Sequence, residues 1–482
     1  MCQSRGLTFI LIILLCTSYS AQTLTIKPSY IPFKEAQPIL EAVNEVLPSG
    51  LKDKGIEELS RSWPSWIAQH DLEIRSRLRQ GDEDSLINFL LFGTSFTKQP
   101  RLSGKQLLLI QQRIKSNTSA PTEDIIKLDS ILQGRIQDLI QGLSVPRDNE
   151  RLLFAHDLVV KQKSLNPATK DGRDRIKKYL YSSLERVLTE QVSYQKALER
   201  AQLLTNASEQ FYERSRLYSN RGLSLDTSLL PNFALEEALK AMKTQGLLKE
   251  GAIRRVAIIG PGLDFTDKQE GYDFYPQQSI QPFAIIDSLL RLNLAEPGTL
   301  QIETFDLSPR VNDHLVRAKK NADRGQSYTL QLPRNEQAQW KPEAIRYWER
   351  FGDQIAVAAQ PAPFPTVVRG LNVRAVRIRP AVVAGITARD LNIVTQRLQL
   401  EGNELFDLII GTNIFVYYDT FEQSLALANV ESMLKPSGFL LSNNALLELP
   451  SSRLSSVDYV TLVYSDRPDD GDHIIWYQRR VP

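Results

Sequence analysis

The residues best placed to do chemistry lie where a short apolar run, Val256-Ala257-Ile258-Ile259, stops at Gly260-Pro261-Gly262. Glycines let a backbone approach a ligand where a Cβ would collide, and the amides that follow can point at polar ligand atoms. The spacing therefore points to a nucleotide-like ligand held at a strand-to-turn junction. It does not complete a dinucleotide fingerprint. The third glycine position holds Phe265, and no acidic residue stands cleanly about 20 residues further on.

Other chemistries lack their residues. His70, His156, His314 and His473 are too scattered to give metal-ligand spacing, so no metal site is expected. There is no Gly-x-Ser-x-Gly elbow and no phosphate loop ending in Gly-Lys and Ser or Thr, which leaves hydrolase and nucleoside-triphosphatase readings without anchors. Asp82, Glu83 and Asp84 stand directly before an apolar run. There they would favour a helix N-terminus through the macrodipole rather than bind a cation.

The elements that must position the glycine turn follow from the texture of the chain. Its 482 residues, 42% hydrophobic and 24% charged, fit a soluble globular protein of two or three domains. A net charge of +2 gives no broad basic field, so nucleic acid is not a favoured partner. From residue 33 to 246 apolar residues recur at helical spacing, with breaks at Pro48-Ser49-Gly50, Pro100, Pro121, Pro146 and Pro167. This half reads as an all-helical domain.

From residue 252 on, strands alternate with helices, the pattern of a parallel α/β sheet. The spacing predicts strands at 255–259, 300–305, 381–385, 406–410 and 439–442, and helices at 280–292, 310–320, 389–400 and 420–434. Two last strands, 457–464 and 473–480, are joined by Ser465-Asp466-Arg467-Pro468-Asp469-Asp470-Gly471-Asp472. That link is too short for a crossover helix and predicts an antiparallel hairpin.

At the N-terminus one basic residue, Arg5, precedes an apolar run from Leu7 to Leu15 broken only by Thr8, with small residues at Ser18, Ser20 and Ala21. This reads as a signal peptide spanning residues 1–21, cleaved after Ser20 or Ala21, and so as an exported or periplasmic protein. The alternative is an uncleaved segment anchoring the chain to a membrane. Both cysteines, Cys2 and Cys16, lie inside this peptide, so the mature chain would have no disulfide and no thiolate chemistry. No later run reaches 18 apolar residues.

With these elements in place, residues 252–482 resemble a class I S-adenosylmethionine-dependent methyltransferase, a Rossmann-like sheet ending in an antiparallel hairpin. The resemblance is carried by VAIIGPGLD, by Glu303-Thr304-Phe305-Asp306-Leu307-Ser308, by Ala388-Arg389-Asp390-Leu391, by FDLIIGTNIFVYYD at 406–419 and by LKPSGFLLSNN at 434–444. The last two are similar to the corresponding parts of the chemotaxis-receptor glutamate methyltransferases. The resemblance implies that Gly260 and Gly262 pass the methionine part of S-adenosylmethionine and that Asp306 accepts both ribose hydroxyls. It further implies that Asp390 accepts from the adenine amino group while Leu391 packs on the ring. Thr412 and Asn413 would face the sulfonium, and Asn413, Tyr417 or Tyr418 would flank the methyl path.

The chain departs from the family's pattern where Ile258 replaces an acid and Asp264 a third glycine. A lengthened first turn carries Asp264, Asp267 and Asp273, which either take polar contacts to a ligand or lie in a solvated loop. An insertion at 321–371 carries Trp340, Trp348, Phe351 and a proline-rich stretch from Gln360 to Pro365. It either forms a lid over the site or, the preferred reading, docks the sheet onto the helical half. Two functions follow: methyl transfer to an oxygen or nitrogen acceptor, small molecule or protein, or a non-catalytic exported binding protein that keeps the fold and uses the helical half for a protein partner.

Overall fold

The computed structural model describes residues 26–102, 106, 107, 109, 123–203, 221–224, 227–266, 272–363, 370–467 and 470–481. The segment read as a signal peptide, with Cys2 and Cys16, lies outside them, as do Pro121, Asp267, Phe364 and Pro365.

Helices α1 (Phe33–Ala42), α2 (Ile56–Phe92), α3 (Glu123–Ser144), α4 (Glu150–His156), α5 (Lys170–Leu203) and α6 (Leu230–Thr244) fill the first half. The short strand β1 (Pro28–Tyr30) precedes them. The second half runs β2 (Arg255–Ile259), α7 (Gln281–Arg291), β3 (Gln301–Asp306), α8 (Pro309–Ala322), β4 (Tyr328–Asn335), α9 (Pro342–Arg350), β5 (Ala356–Ala359) and β6 (Leu371–Ile378). It continues with α10 (Pro380–Ala384), β7 (Ile386–Asp390), β8 (Gln396–Leu398), β9 (Phe406–Gly411), α11 (Thr420–Met433), β10 (Leu434–Ser442), β11 (Leu454–Val463) and β12 (Gly471–Arg479).

Seven strands form one sheet in the order β11-β12-β10-β9-β2-β3-β7. Neighbours from β10 to β7 pair in parallel, whereas β12 is antiparallel to both β10 and β11. The chain has the mixed α/β, class I methyltransferase fold: a helical N-terminal region, a Rossmann-like sheet and the closing antiparallel hairpin. Strand order reverses at β2, since β3 lies on one side of it and β9 on the other. In such sheets a crevice opens at the carboxyl ends of the strands at that switch point.

Strand alternation decides what covers each face. Val256 and Ile258 of β2 pack with Ile302, Leu408 and Ile410 against α6 and α7. Ala257 and Ile259 pack with Phe305, Phe406 and Leu440 against α1, α11 and Leu59, Trp63, Ile67 and Ile74 of α2. The far end of α2, from Leu86 to Phe92, belongs instead to a separate core with α3, α4 and α5, into which Phe265 of the first turn inserts. The helices between residues 33 and 246 thus divide among three packing groups.

Several elements differ from the periodicity. Residues 381–385 are not a strand: Pro380 takes the first turn of α10, where its missing N–H costs nothing, and the strand follows as β7. Residues 389–400 are not a helix but the end of β7 followed by β8, which pairs with β1. Side chains supply the backbone partners that a helix would have supplied. Asn429 Nδ2 donates to the carbonyls of Ile393 and Val394 at 2.9 and 3.0 Å, and Asn392 Oδ1 accepts from the Val394 amide at 3.1 Å. Asp82, Glu83 and Asp84 sit within α2 rather than before a helix, paired with Arg310 at 2.8 Å, Lys163 at 2.7 Å and Arg186 at 2.6 Å.

The insertion is a three-stranded antiparallel sheet, β4-β6-β5, with α9 packed on it, and β6 continues to Ile378. Trp348 and Phe351 are buried in the core that contains α6 and α7, and Trp348 Nε1 donates to the Leu332 carbonyl at 2.9 Å. The Tyr347 ring stacks on Phe233 of α6 with centroids 5.1 Å apart. This docking onto α6 is one of the two roles foreseen for the insertion, and Trp340 lines the cavity described below.

Candidate functional site

The site begins where β2 ends. Gly260 and Gly262 both have φ near +65°, at 65° and 66°. A Cβ on Gly260 would come 2.1 Å from Ile414 Cδ1, so this turn selects glycine twice over, by dihedral and by space. The Gly260 amide donates to the Phe305 carbonyl at 2.8 Å, which fixes the turn against β3.

In the lengthened turn that follows, the described acids are buried. Asp264 is buried, and its Oδ2 accepts from Tyr275 Oη at 2.8 Å and Gln278 Nε2 at 2.9 Å. Asp273 reaches away from the cavity, where its carboxylate accepts from the amides and hydroxyls of Thr94 and Ser95 at 2.6 to 3.0 Å. Arg151 of α4, 2% exposed, donates to the carbonyls of Asp264, Phe265 and Tyr275. Sequence reasoning missed this clamp, because nothing near Arg151 in the chain signals a partner beyond residue 260.

Asp306 ends β3 with 6% exposure and lines the cavity. Its carboxylate accepts the amides of Ser308, at 2.8 Å, Gly262 and Leu307. Those bonds favour the charged form, but burial outweighs them and pushes the carboxyl up to about 7. A ligand hydroxyl donating here would stabilise the anion that the protein alone holds poorly.

Asp390 stands beside Asp306 in the ladder yet does not share the cavity. Its side chain is 59% exposed and binds Arg75 Nη1 at 2.7 Å. Arg75 is itself held by Asp71 at 2.8 Å. Asp390 thus lies outside the cavity lining, whereas its neighbours Leu391 and Ile393, both buried, belong to it.

Beyond β9, Thr412 Oγ1 accepts from Gln281 Nε2 at 2.8 Å. Asn413 adopts φ +58°. Its amide donates to Asn443 Oδ1 at 2.8 Å and its Oδ1 accepts from Asn443 Nδ2 at 2.6 Å, a reciprocal pair joining the ends of β9 and β10. Tyr417 and Tyr418 close this side. Tyr418 is buried, which pushes its phenol up and keeps it neutral.

Together these groups line a cavity of about 420 Å3, a size that suits a nucleoside-sized ligand. Gly260, Gly262, Asp264, Asp306, Leu391, Thr412, Asn413, Tyr417 and Tyr418 are brought together; Asp390 is left outside. The far wall was not legible as a site: Asn232 from α6, Trp340 from the insertion, and Tyr464 and Asp472 from the hairpin. Only Trp340 carried a signal, as an aromatic in an insertion. Among the described residues no group of three or more His, Cys, Asp or Glu could hold a metal.

No protein-family model matches the chain, and no curated protein matches it. Among solved structures it is similar to the N-methyltransferase NodS from Bradyrhizobium japonicum WM9 in complex with S-adenosyl-L-homocysteine. That match has 14% identity, covers 56% of this chain and 98% of that one, and has a TM-score of 0.26. It is similar also to magnesium protoporphyrin IX methyltransferase from Synechocystis PCC 6803 with bound S-adenosylmethionine, at 9% identity, 59% and 90% coverage and a TM-score of 0.25. A possible exported protein from Bordetella parapertussis matches at 12% identity over 79% of this chain and 98% of that one, with a TM-score of 0.28. The fold assignment rests on the sheet's own strand order and directions.

Proposed function

We propose that this cavity binds S-adenosylmethionine and that the chain transfers its methyl group to an oxygen or nitrogen acceptor. The observation that carries the reading is Asp306: a buried carboxylate at a strand's carboxyl end, opening into the cavity at the switch point, in the place where ribose hydroxyls need an acceptor. Gly260 and Gly262 would pass the methionine part, and Leu391 and Ile393 would cover the adenine ring. Thr412 and Asn413 would flank the sulfonium, with Tyr417 and Tyr418 beside the methyl path. The bound cofactor supplies an electrophilic methyl. The chain's own contribution is then orientation and exclusion of water by a wall built from β9, α6, the insertion and the hairpin. Saturation-transfer NMR with S-adenosylhomocysteine tests the reading: ribose and adenine protons receive magnetisation from the wild type and lose it in Asp306→Asn. Absence of transfer from folded wild type contradicts it.

A second reading is an exported binding protein that keeps the fold without catalysis, with a protein partner on the helical half. It draws on residues 1–21, since S-adenosylmethionine is a cytosolic metabolite, and on Asp264, whose carboxylate is already engaged by Tyr275 and Gln278. Among the described residues no helix is long and apolar enough to cross a membrane. N-terminal sequencing of protein recovered from the producing cell tests export: a start at Ala21 or Gln22 supports it, and retention of Met1 favours the anchored alternative.

A further inference from the structure

The far end of the cavity, away from Asp306, has a chemistry of its own. Asn232, on the first turn of α6, is 1% exposed. Its Nδ2 donates to the Ser228 carbonyl at 3.0 Å, while its Oδ1 has no hydrogen-bond partner among the described residues. A buried acceptor left unpaired is costly unless something supplies a donor. Next to it, Phe233 packs with its ring 6.4 Å from that of Tyr464.

Tyr464 Oη donates to Asp472 Oδ2 at 2.7 Å, and Asn443 Nδ2 reaches Asp472 Oδ1 at 3.2 Å. Among the described residues no cation pairs with Asp472. Arg467 is the one cation of the described lining, and it faces Asp470 at 3.5 Å. Trp340 completes this end. The insertion and hairpin are zipped together there, with the Lys341 amide donating to the Tyr464 carbonyl at 2.7 Å and Trp340 bridged to Ser465. The walls are therefore preformed.

An unpaired carbonyl oxygen, a carboxylate without a cation and two aromatic faces all ask for the same partner, a positively charged group rich in N–H. We propose that this end is an acceptor subsite for an amine, held as its ammonium by Asp472, Asn232, Trp340 and Tyr464, and that it disfavours carboxylates and phosphates. The subsite itself stands on these residues; its role as the methyl-acceptor site rests on the methyltransferase reading above.

The test titrates benzylamine, benzyl alcohol and benzoate into the full chain, with and without saturating S-adenosylhomocysteine, followed by calorimetry or NMR. Benzylamine is expected to bind at least about tenfold more tightly than the other two, the size of a charge-assisted hydrogen bond. Asp472→Asn should reduce that preference to threefold or less, at about the discrimination a neutral pair leaves. Asn232→Leu should weaken benzylamine too while leaving thermal stability equal or higher, because it removes the unpaired acceptor. Benzoate binding as well as benzylamine, or a preference untouched in Asp472→Asn, overturns the subsite. If S-adenosylhomocysteine fails to bind but the Asp472-dependent preference appears without it, the subsite stands and the methyltransferase reading falls.

Discussion

Asp306 carries opposing forces. Three backbone amides favour its anion, yet burial dominates and pushes the carboxyl up to about 7. A carboxyl raised in the folded state keeps a proton that the unfolded chain releases above about 4. Its contribution to stability therefore declines as pH rises from about 4 to about 7, at about 1.4 kcal/mol per unit. A ligand donating to the anion reverses this, so S-adenosylhomocysteine should release protons on binding below about pH 7 and bind more tightly as pH rises towards and past it. Asp306→Asn should unfold at higher temperature than the wild type at pH 8 without ligand, and should lose pH-dependent affinity; an unchanged pH profile refutes the ribose role. Gly260→Ala should cost about 1–2 kcal/mol from its positive φ alone, measured by denaturant unfolding, and should shrink the cavity by displacing Ile414. These residues were legible because the signals are local: an apolar run, a Gly-x-Gly, an acid at a strand's end. Asp390 was not, because what removes it from the cavity is Arg75, more than three hundred positions away in the chain, and no local pattern reports that pairing.

Among the elements, the first turn shows how a helical bundle serves the sheet. Phe265 lies in the bundle core, Asp273 bonds Thr94 and Ser95, and Glu150 Oε2 accepts from the Gln277 amide at 2.7 Å. Arg151→Met would leave three buried carbonyls unsatisfied at about 1–3 kcal/mol each. It should destabilise the chain by about 3 kcal/mol or more and speed amide exchange across residues 272–278; unchanged exchange there would show that the turn holds itself. Strand β2 and the closing hairpin were readable from four consecutive apolar residues and from a link too short for a helix. The stretch from 381 to 400 was misread because Asn429, Asn392 and the pairing of β8 with β1 decide its conformation, and none of these is visible in a local window.

For the whole molecule, the sheet needs covers from both ends of the chain. One face of β2 packs under α6 and α7, the other under α1 and the start of α2. Residues 252–482 expressed alone would keep α7 and α11 but lose α6 from one face and α1 and the start of α2 from the other, leaving apolar surface uncovered on both. That fragment should aggregate or stay unfolded, whereas a cooperative thermal transition in it would show an independent domain. The parallel α/β sheet was legible from the alternation of strands and helices and its closing hairpin from a short link, whereas the strand order is seen only in the folded sheet. The far wall of the cavity was not, because Asn232, Trp340 and Tyr464 come from three elements that only folding unites. The most direct measurement is calorimetric titration of wild type and Asp306→Asn with S-adenosylhomocysteine at pH 6 and pH 8. The account predicts micromolar binding to wild type, tighter at the higher pH, and at least about tenfold loss in the variant. No heat at millimolar ligand with folded wild type would contradict it.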